Sequence, residues 1–597
     1  MKPINKTKQL VLLVLSILFN TTGNTQVIYH VDQVNGDNSN NGITSSSAFQ
    51  SIDSAIDVVN PSDTILIMGM YTNSSYNSAY TYSSEHDPHL WHAENAIKIN
   101  NLHGNSAAYI TIKAYDNSTI LKGDGANIFR VSNSSYLRIE DFEIEGEVQN
   151  IPLTTANALQ FVYIDVDNTV DSNNPTALEI KYRDQDCISN CTVDTVVNGE
   201  IYSDISSMNI ARPSYIDTRG LYLSNVHHID IINNVIHDMP GGGLRVSNCE
   251  DINIRENEIY ACSRKSYSGT HGLVVTKATS TRTTDDYRIS IIRNKVHHNY
   301  NEQYSWSPSK TIITPHIDEG KGISLQRNQT TNSINWDHGR ILVENNICYY
   351  NGFSGIHSND GNRIDFINNT SYFNSYTKSI TEGITSNNGG NIGISAQGGS
   401  DIRIVNNISI IDKNLSKSAI SSNLTAADGL IVKNNIIYGT DLNGVTDTIS
   451  EDSDISILQV NTQKIDPLFV APLNFDFSLQ QNSPAINTAS VLEAPVTDYF
   501  GTNRDMNPDI GAIEYSNISG LEGNSYSFIS IYPNPVNEML CVKGLSFLKS
   551  DVKITNALGQ ECSNFKMIGD QLIDVSNLSS GFYIIKIKTF VNRIHKL

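Results

Sequence analysis

The feature that most constrains this chain is a short segment of alternating apolar and polar residues that ends in asparagine. Typical copies are residues 229–234 (IDIINN) and residues 364–369 (IDFINN). The last asparagines of successive copies are Asn234, Asn257, Asn294, Asn346, Asn369, Asn407 and Asn435. They lie 23, 37, 52, 23, 38 and 28 residues apart. A base period of 23 residues with insertions is the length of one coil of a solenoid.

The composition of each copy explains how such coils would hold together. Alternating apolar residues direct one side of each strand into a shared core, and successive coils pair as parallel strands about 4.8 Å apart. An asparagine at the same place in every coil allows the side-chain amides to form hydrogen bonds along the stack. A second, glycine-led strand recurs at Gly243, Gly272, Gly322, Gly355 and Gly393. The pattern predicts an all-β chain of stacked parallel strands.

The N-terminus and the overall charge limit where the protein acts and what it binds. Three lysines precede the apolar run of residues 10–19, which is shorter than the roughly 20 residues that span a bilayer. Residues 1–25 are therefore predicted to be a secretory signal peptide, and no later run is long enough to cross a membrane. The net charge of −21 argues against non-specific binding to nucleic acid, which requires a basic surface.

The segments at both ends of the repeat resemble those of a known fold family. Residues 29–38, 49–56 and 63–71 read as a strand, a polar turn, a short amphipathic helix and a strand, and residues 498–515 read as a closing segment. They resemble pectate-lyase-like proteins. The resemblance implies a right-handed parallel β-helix over residues 26–515 with an N-terminal cap. Proteins of that superfamily mostly cleave polysaccharides, either by hydrolysis or by β-elimination at uronic acids.

The C-terminal residues follow a different pattern. After a polar linker, predicted at residues 516–525, the segment 531–536 reads IYPNPV and the segment 581–587 reads GFYIIKI. These motifs resemble the C-terminal sorting domain of the Bacteroidetes type nine secretion system. The resemblance implies a small β-sandwich over residues 526–597, with the secretion machinery as its partner. It also implies export across the outer membrane, to the medium or to the cell surface.

The candidate site lies where the largest insertions occur. Aligning the strands after each glycine places Leu244, Leu273, Ile323 and Ile356 inward, and it places His271 beside Lys321 in the bend before the glycine. Carboxylates, an imidazole and an ammonium group at one bend could serve proton transfer and the binding of an acidic sugar. The predicted catalytic residues are Glu319, Asp318, His271, Lys321 and His357. The predicted substrate-binding residues are Arg245, Arg264, Trp306, His316, Ser324, Trp336 and Asp360. The alternative interpretation is that these are ordinary polar residues of loops.

Other polar residues are predicted to be structural. His237, Tyr260, His297, Tyr349 and Tyr372 each lie three residues after a repeat asparagine, so they are expected to form a stacked column. No pattern of spaced oxygen ligands predicts a metal site. No cofactor is predicted, although a bound Ca²⁺ remains open as an alternative.

The sequence predicts a secreted, monomeric enzyme that cleaves the glycosidic bonds of an acidic extracellular polysaccharide. Hydrolysis is favoured, with Glu319 and either Asp318 or Asp360 as the paired carboxylates, because no arginine follows or precedes the predicted base and no calcium cage is evident. One alternative is a lyase that uses Lys321 or His271 as the base for β-elimination. A second alternative is a non-catalytic protein that binds glycans at the cell surface.

Overall fold

The chain is nearly all β in a computed structural model. The structure describes residues 26–73, 95–153, 156, 160–165, 178–183, 214–266, 270–279, 285–302, 317, 319–328, 339–376, 392–412, 416, 418–440, 446–447, 459–515, 530–532, 539–543, 549–556, 560–568, 571–587 and 590–596. The predicted signal peptide (1–25) and linker (516–525) lie outside these residues, as do Trp306, His316, Asp318 and Trp336.

Each coil of the solenoid runs along three faces. In the coil of Asn257, strand Leu244–Arg255 forms the first face and, after a corner at Asn248, the second face. Strand Glu258–Tyr260 forms the third face. Each of these strands pairs in parallel with the equivalent strands of the coils before and after it. The predicted parallel β-helix is therefore confirmed.

The first and second faces belong to one 17-stranded sheet. Its strands are Ile28–Asp32, Thr64–Met68, Ile97–Asn100, Ile110–Ala114, Asn127–Ser132, Ser135–Glu140, Arg219–Ile232, Leu244–Arg255, Leu273–Ala278, Tyr287–Ile292, Ile323–Asn328, Arg340–Glu344, Ser354–Ile367, Ile392–Val405, Ser418–Ser422, Ile431–Lys433 and Gln459–Val460.

The third face is a 12-stranded sheet, and smaller elements flank the solenoid. The strands of the third face are Met70–Thr72, Ile120–Lys122, Glu143–Glu145, Val235–His237, Glu258–Tyr260, Lys295–His297, Ile347–Tyr349, Thr370–Tyr372, Ile408–Asp412, Ile436–Thr440, Thr446–Asp447 and Gln463–Lys464. Two antiparallel pairs are Gln160–Asp165 with Leu178–Arg183, and Phe469–Ala471 with Asp476–Leu479. Short 3₁₀ turns lie at Ser45–Ser47, Val148–Asn150, Ser214–Ile216, Ala426–Asp428 and Pro472–Asn474.

A core of mainly aliphatic residues fills the solenoid. The inward residues predicted from the glycine alignment, such as Leu244, Leu273, Ile323 and Ile356, are buried. Helix α1 (Ile52–Ile56) adds Ile52 and Ala55 to the same cluster at the N-terminal end, as a cap requires. Residues 498–515 include no regular strand and pack along the solenoid, where the Gly511 backbone N–H donates to the Asn406 carbonyl oxygen at 2.8 Å.

The repeat asparagines form the predicted ladder. The Nδ2 atom of each donates to the Oδ1 atom of the next at 3.0–3.1 Å, from Asn234 to Asn435. A second ladder joins Asn299, Asn351 and Asn374 at 2.9 Å. Both ladders satisfy polar groups that the corners would otherwise leave buried and unpaired.

The C-terminal strands form two antiparallel sheets. Ser530–Tyr532, Met539–Lys543 and Gln571–Asp574 form the first, and Glu561–Ile568, Lys549–Asn556, Gly581–Ile587 and Phe590–Lys596 form the second. Buried residues of both sheets, including Leu540, Val552 and Ile585, make one cluster.

Candidate functional site

The first face presents a continuous row of side chains that point away from the core. We call this set the outward row; the strand register orders it as Lys98, Arg130, Tyr222, Arg245, Val274, Ser324, His357, Ser395 and Ser421. Ser324, Val274 and Ser395 are buried although they face outward. The predicted residues Arg245, Ser324 and His357 share this row.

At the edge of the outward row, three predicted residues lie close together, and we call them the Glu319 group. The Oε2 atom of Glu319 lies 3.4 Å from His271 Nε2 and 3.8 Å from Lys321 Nζ. The side chain of His271 is fully buried, and those of Glu319 and Lys321 are 12% and 8% exposed. The Lys321 ammonium also lies 4.5 Å from the ring centroid of Phe353, a cation–π arrangement.

Hydrogen bonds fix the position of the His271 ring. The backbone N–H of Lys321 donates to His271 Nδ1 at 3.2 Å, and the other ring nitrogen, Nε2, lies 3.4 Å from Glu319 Oε2. The side-chain amide nitrogen of Gln326 lies 2.6 Å from the same Nε2 atom. Both nitrogens of this buried ring are engaged with the protein. His271 is therefore placed to orient Glu319 and Lys321, and these two less buried groups lie at the edge of the outward row.

His357 and Ser324 extend the site along the outward row. They are paired in the strand register, and the Nδ1 atom of His357 lies 2.5 Å from Ser395 Oγ, in the next coil. Gln326 joins Ser324 to the Glu319 group, because its amide donates to Ser324 Oγ at 3.1 Å. Gln326 did not stand out in the sequence, since an outward glutamine has no distinctive spacing.

Two other predicted binding residues, Arg264 and Asp360, lie apart from the Glu319 group. Arg264 is engaged with the corresponding segment of the next coil, where its Nη1 atom donates to Tyr300 Oη at 2.6 Å and lies 3.5 Å from Glu302 Oε1. Asp360 forms the corner after the first-face strand, with φ of 56°, and accepts from Asn359 Nδ2 at 3.3 Å. Glu319 lies in the bend before that face, so the two carboxylates flank it from opposite ends.

Four of the five residues of the predicted aromatic column stack, whereas Phe475, not Tyr372, stacks on the ring of Tyr349, at 4.7 Å. The rings of His237, Tyr260, His297 and Tyr349 stack in register at 4.6–5.1 Å with interplanar angles of 5° or less. Burial alone would lower the pKa of His237, but its hydrogen bonds to Asp238 and Glu143 raise it to about 9.

One group of side chains has metal-ligand chemistry. Ligand atoms of Glu143, Glu145 and His237 lie within 4.8 Å of one another. The Lys122 ammonium lies 2.7 Å from Glu145 and already supplies a positive charge there. We therefore interpret this group as an ion-pair network on the third face, away from the outward row.

The sequence did not identify Arg130 and Tyr222 as neighbours of Arg245 in the outward row. The ring of Tyr222 lies between two cations, with Arg130 Cζ 4.0 Å and Arg245 Cζ 6.0 Å from its centroid. Residues 127–132 precede the regular copies of the repeat, so no aligned glycine or asparagine marks their register with residues 219–224.

Comparison with known families identifies the C-terminal part of the chain. Residues 530–596 match the family described as "Secretion system C-terminal sorting domain". No curated protein matches the chain. Among the helices that the structure describes, none has the length and apolar character needed to cross a membrane.

Solved structures similar to the chain include a pectate lyase Pel9A, at 15% identity and a TM-score of 0.40 over 82% of this chain and 97% of that one. A rhamnogalacturonan lyase has 12% identity and a TM-score of 0.35, over 83% and 97%. The A-module of the Azotobacter vinelandii mannuronan C-5 epimerase AlgE4 has 12% identity and a TM-score of 0.35, over 69% and 89%.

The matched C-terminal segment also carries both motifs identified in the sequence, the YPNP start and the GFYIIKI strand. The chain therefore ends in a type nine sorting domain, and the protein is exported to the cell surface or the medium.

Proposed function

We propose that this protein is an exported enzyme that cleaves the glycosidic bonds of an extracellular polysaccharide bound along the outward row. The observation that carries the proposal is the Glu319 group, in which a carboxylate is held between a buried imidazole and an ammonium at the edge of the outward row. A carboxylate in such surroundings is suited to transfer a proton to or from a glycosidic oxygen.

The roles of the three residues follow from their exposure and contacts. Glu319 is the proton-transfer group. Lys321 stabilises its charged form and offers a cation to the substrate, while His271 acts as a positioning residue because its ring is fully buried. Ser324 and His357 continue the surface on which the polymer would lie.

Hydrolysis is the first candidate reaction, because Glu319 is a carboxylate and needs only a second carboxylate about 5–10 Å away. Asp318, next to Glu319 in the chain, is the proposed partner. Asp360 does not meet this distance, because it is opposite Arg327 in the strand register, at the far end of the first face. Elimination is the second candidate. It is favoured by the arginines of the outward row, which could neutralise the carboxylate of a uronic acid.

A product assay tests the proposal and separates the two reactions. Purified protein is incubated with pectic, alginate-like and sulfated algal polysaccharides, with added Ca²⁺ or a chelator, and both reducing ends and unsaturated products are followed. Reducing ends without unsaturation identify hydrolysis, and unsaturation identifies elimination. Binding without any product would overturn the proposal and favour a glycan-binding protein.

A matched pair of variants tests the assignment of Glu319. We expect Glu319→Gln to abolish cleavage while leaving the Tm unchanged. Glu256→Gln serves as the control because it removes the same charge at an exposed corner away from the outward row. Full activity of Glu319→Gln would show that the reaction takes place elsewhere.

A further inference from the structure

We infer that Arg130, Tyr222 and Arg245 form a subsite for an anionic group on the sugar, a carboxylate or a sulfate ester. This inference rests on the proposed function in one respect: it places a polysaccharide along the outward row. The three residues occupy consecutive coils and are adjacent in the strand register, with Tyr222 in the middle.

The described residues supply little negative charge to this cluster. Arg219 lies at the same end of the strand and is paired with Asp217, its Nη2 atom 3.4 Å from Asp217 Oδ2. In the part of the chain that the structure describes, Arg130 and Arg245 take part in no ion pair. Three guanidinium groups thus share one carboxylate, which leaves a local excess of positive charge.

The hydrogen-bonding capacity of the cluster is also incomplete. Arg130 Nη2 donates to Ser224 Oγ at 2.7 Å, but Arg130 Nη1 and Arg245 Nε are buried without a hydrogen-bond partner among the described residues. Buried donors that lack partners are rare in proteins because each one costs free energy. An anion with two or three oxygens would satisfy these donors in the forked geometry that guanidinium groups favour.

Tyr222 keeps the two arginines apart and oriented. The guanidinium of Arg130 stacks on the ring at 4.0 Å, and that of Arg245 lies at 6.0 Å from the same centroid. Burial, with the nearby charges of Arg219 and Arg327, lowers the pKa of Arg245. A bound anion would relieve this repulsion, so the cluster gains a partner that the described protein does not supply.

The position of the cluster fits a polymer that reaches the Glu319 group. Arg245 precedes Val274 and Ser324 in the outward row, so it lies two strand spacings, or about 10 Å, from Ser324. An acidic sugar held by the two arginines would thus anchor the chain while a neighbouring linkage lies beside Glu319.

Equilibrium binding tests the subsite separately from cleavage. The full-length Glu319→Gln protein is titrated calorimetrically with three tetrasaccharides: a uronate, a sulfated galactan and a neutral galactan. We expect at least one anionic tetrasaccharide to bind about tenfold more tightly than the neutral one, and the stronger of the two identifies the anion. Equal binding of all three, or no binding, would overturn the subsite whatever the cleavage assay shows.

The variants Arg245→Gln and Arg255→Gln provide the matched comparison. Both substitutions remove one positive charge from strand Leu244–Arg255, but Arg255 lies on the second face beside Glu256. We expect Arg245→Gln to weaken binding of the anionic tetrasaccharide about tenfold or more and to reduce its salt dependence. Arg255→Gln should bind as the parent does. Equal losses in the two variants would contradict the subsite, and Arg130→Gln repeats the test if Arg245→Gln does not fold.

Discussion

Tyr222 reports directly on the cationic cluster at the scale of a single residue. Burial alone would raise the pKa of its phenol, but the adjacent guanidinium of Arg130 and the charges of Arg245 and Arg219 lower it below the ordinary value of 10.0. The phenol is therefore an internal probe of the surrounding charge, and any change that removes a nearby cation must shift its titration upward.

We predict that Arg245→Gln raises the pKa of Tyr222. The measurement is the near-ultraviolet titration of phenolate, taken as the difference between a protein with Tyr222 and the same protein carrying Tyr222→Phe. This subtraction removes the signal of the remaining tyrosines. An unchanged difference titration would mean that Arg245 does not influence Tyr222.

Glu344 provides a test of buried charge away from the outward row. Burial raises its pKa from 4.5 to about 7, although Arg504 and Arg293 act in the opposite direction. The ionised carboxylate is therefore less stable in the folded protein than in the unfolded chain. The destabilisation is absent below pH 4.5, grows as the pH rises and is complete above about pH 7.

We predict that Glu344→Gln raises the Tm at about pH 8 and changes it little at about pH 4.5. Thermal unfolding of the variant and the wild type at both pH values is the measurement. The exposed Glu256→Gln serves as a control for the loss of one charge. A gain that is equal at both pH values would show that burial of Glu344 does not control its ionisation.

The sequence predicted contacts between individual residues only where the repeat aligned one coil with the next. Gly272 and Gly322 mark equivalent positions, so the adjacency of His271 and Lys321 could be predicted and is observed. The contact between Gln326 and His271 could not, because it depends on side-chain conformations between coils. Tyr222 and Arg130 could not be paired because the coils before Asn234 follow no regular spacing.

The asparagine ladder is the element whose stability depends most on side-chain hydrogen bonds. Asn346 donates to the Ile291 carbonyl at 2.8 Å and to Asn369 Oδ1 at 3.0 Å, and its Oδ1 atom accepts from both the backbone and the side chain of Asn294. All of these groups are buried. Loss of one member leaves several of them without partners.

We predict that Asn346→Ala destabilises the protein by at least about 2 kcal/mol, since each unsatisfied buried group costs about 1–3 kcal/mol. Asn253→Ala is the control, because Asn253 makes one longer bond, 3.3 Å to Asp230, and lies outside the ladder. Denaturant unfolding measures both variants. A loss in Asn346→Ala no larger than that in Asn253→Ala would contradict a stabilising role for the ladder.

Close approach between coils makes Gly322 a second sensitive element. A Cβ atom there would lie 2.5 Å from the Gly355 carbonyl oxygen and 2.7 Å from Asn351 Nδ2, a member of the second ladder. We predict that Gly322→Ala lowers stability by about 1–3 kcal/mol, as overpacking does. The control is Gly123→Ala, whose nearest neighbour would lie at 3.5 Å. Equal Tm values for the two variants would refute the argument.

The ladders also show what a repeat reveals at the scale of elements. Asn299, Asn351 and Asn374 follow the first ladder by five residues and share its spacings of 52 and 23. The spacing of the second ladder was therefore visible in the sequence. The preceding coil has Cys262 at the equivalent position, which interrupts the row of asparagines. The long insertions gave no such signal, because their residues follow no period.

At the scale of the whole molecule, the architecture was predictable because each coil contacts mainly its neighbours. A repeat length and an inward pattern then determine the stacking without knowledge of distant contacts. The buried apolar residues form different clusters in the solenoid and in the C-terminal strands. The clusters of the solenoid include residues from Val31 to Ile513, and the cluster of the C-terminal strands includes residues from Leu540 to Ile587. The two parts therefore have separate cores.

Because the cores are separate, deletion of the sorting domain should not expose the hydrophobic core of the solenoid. We predict that a chain lacking residues 526–597 folds with the thermal transition of the solenoid retained but is not exported across the outer membrane. The measurements are cell fractionation with immunodetection and thermal unfolding of the purified fragment. The full-length Glu319→Gln variant is the control, because it should reach the same location as the wild type. Recovery of the truncated chain in the medium would show that the C-terminal segment is not required for export. Loss of its folding transition would show instead that the solenoid depends on that segment.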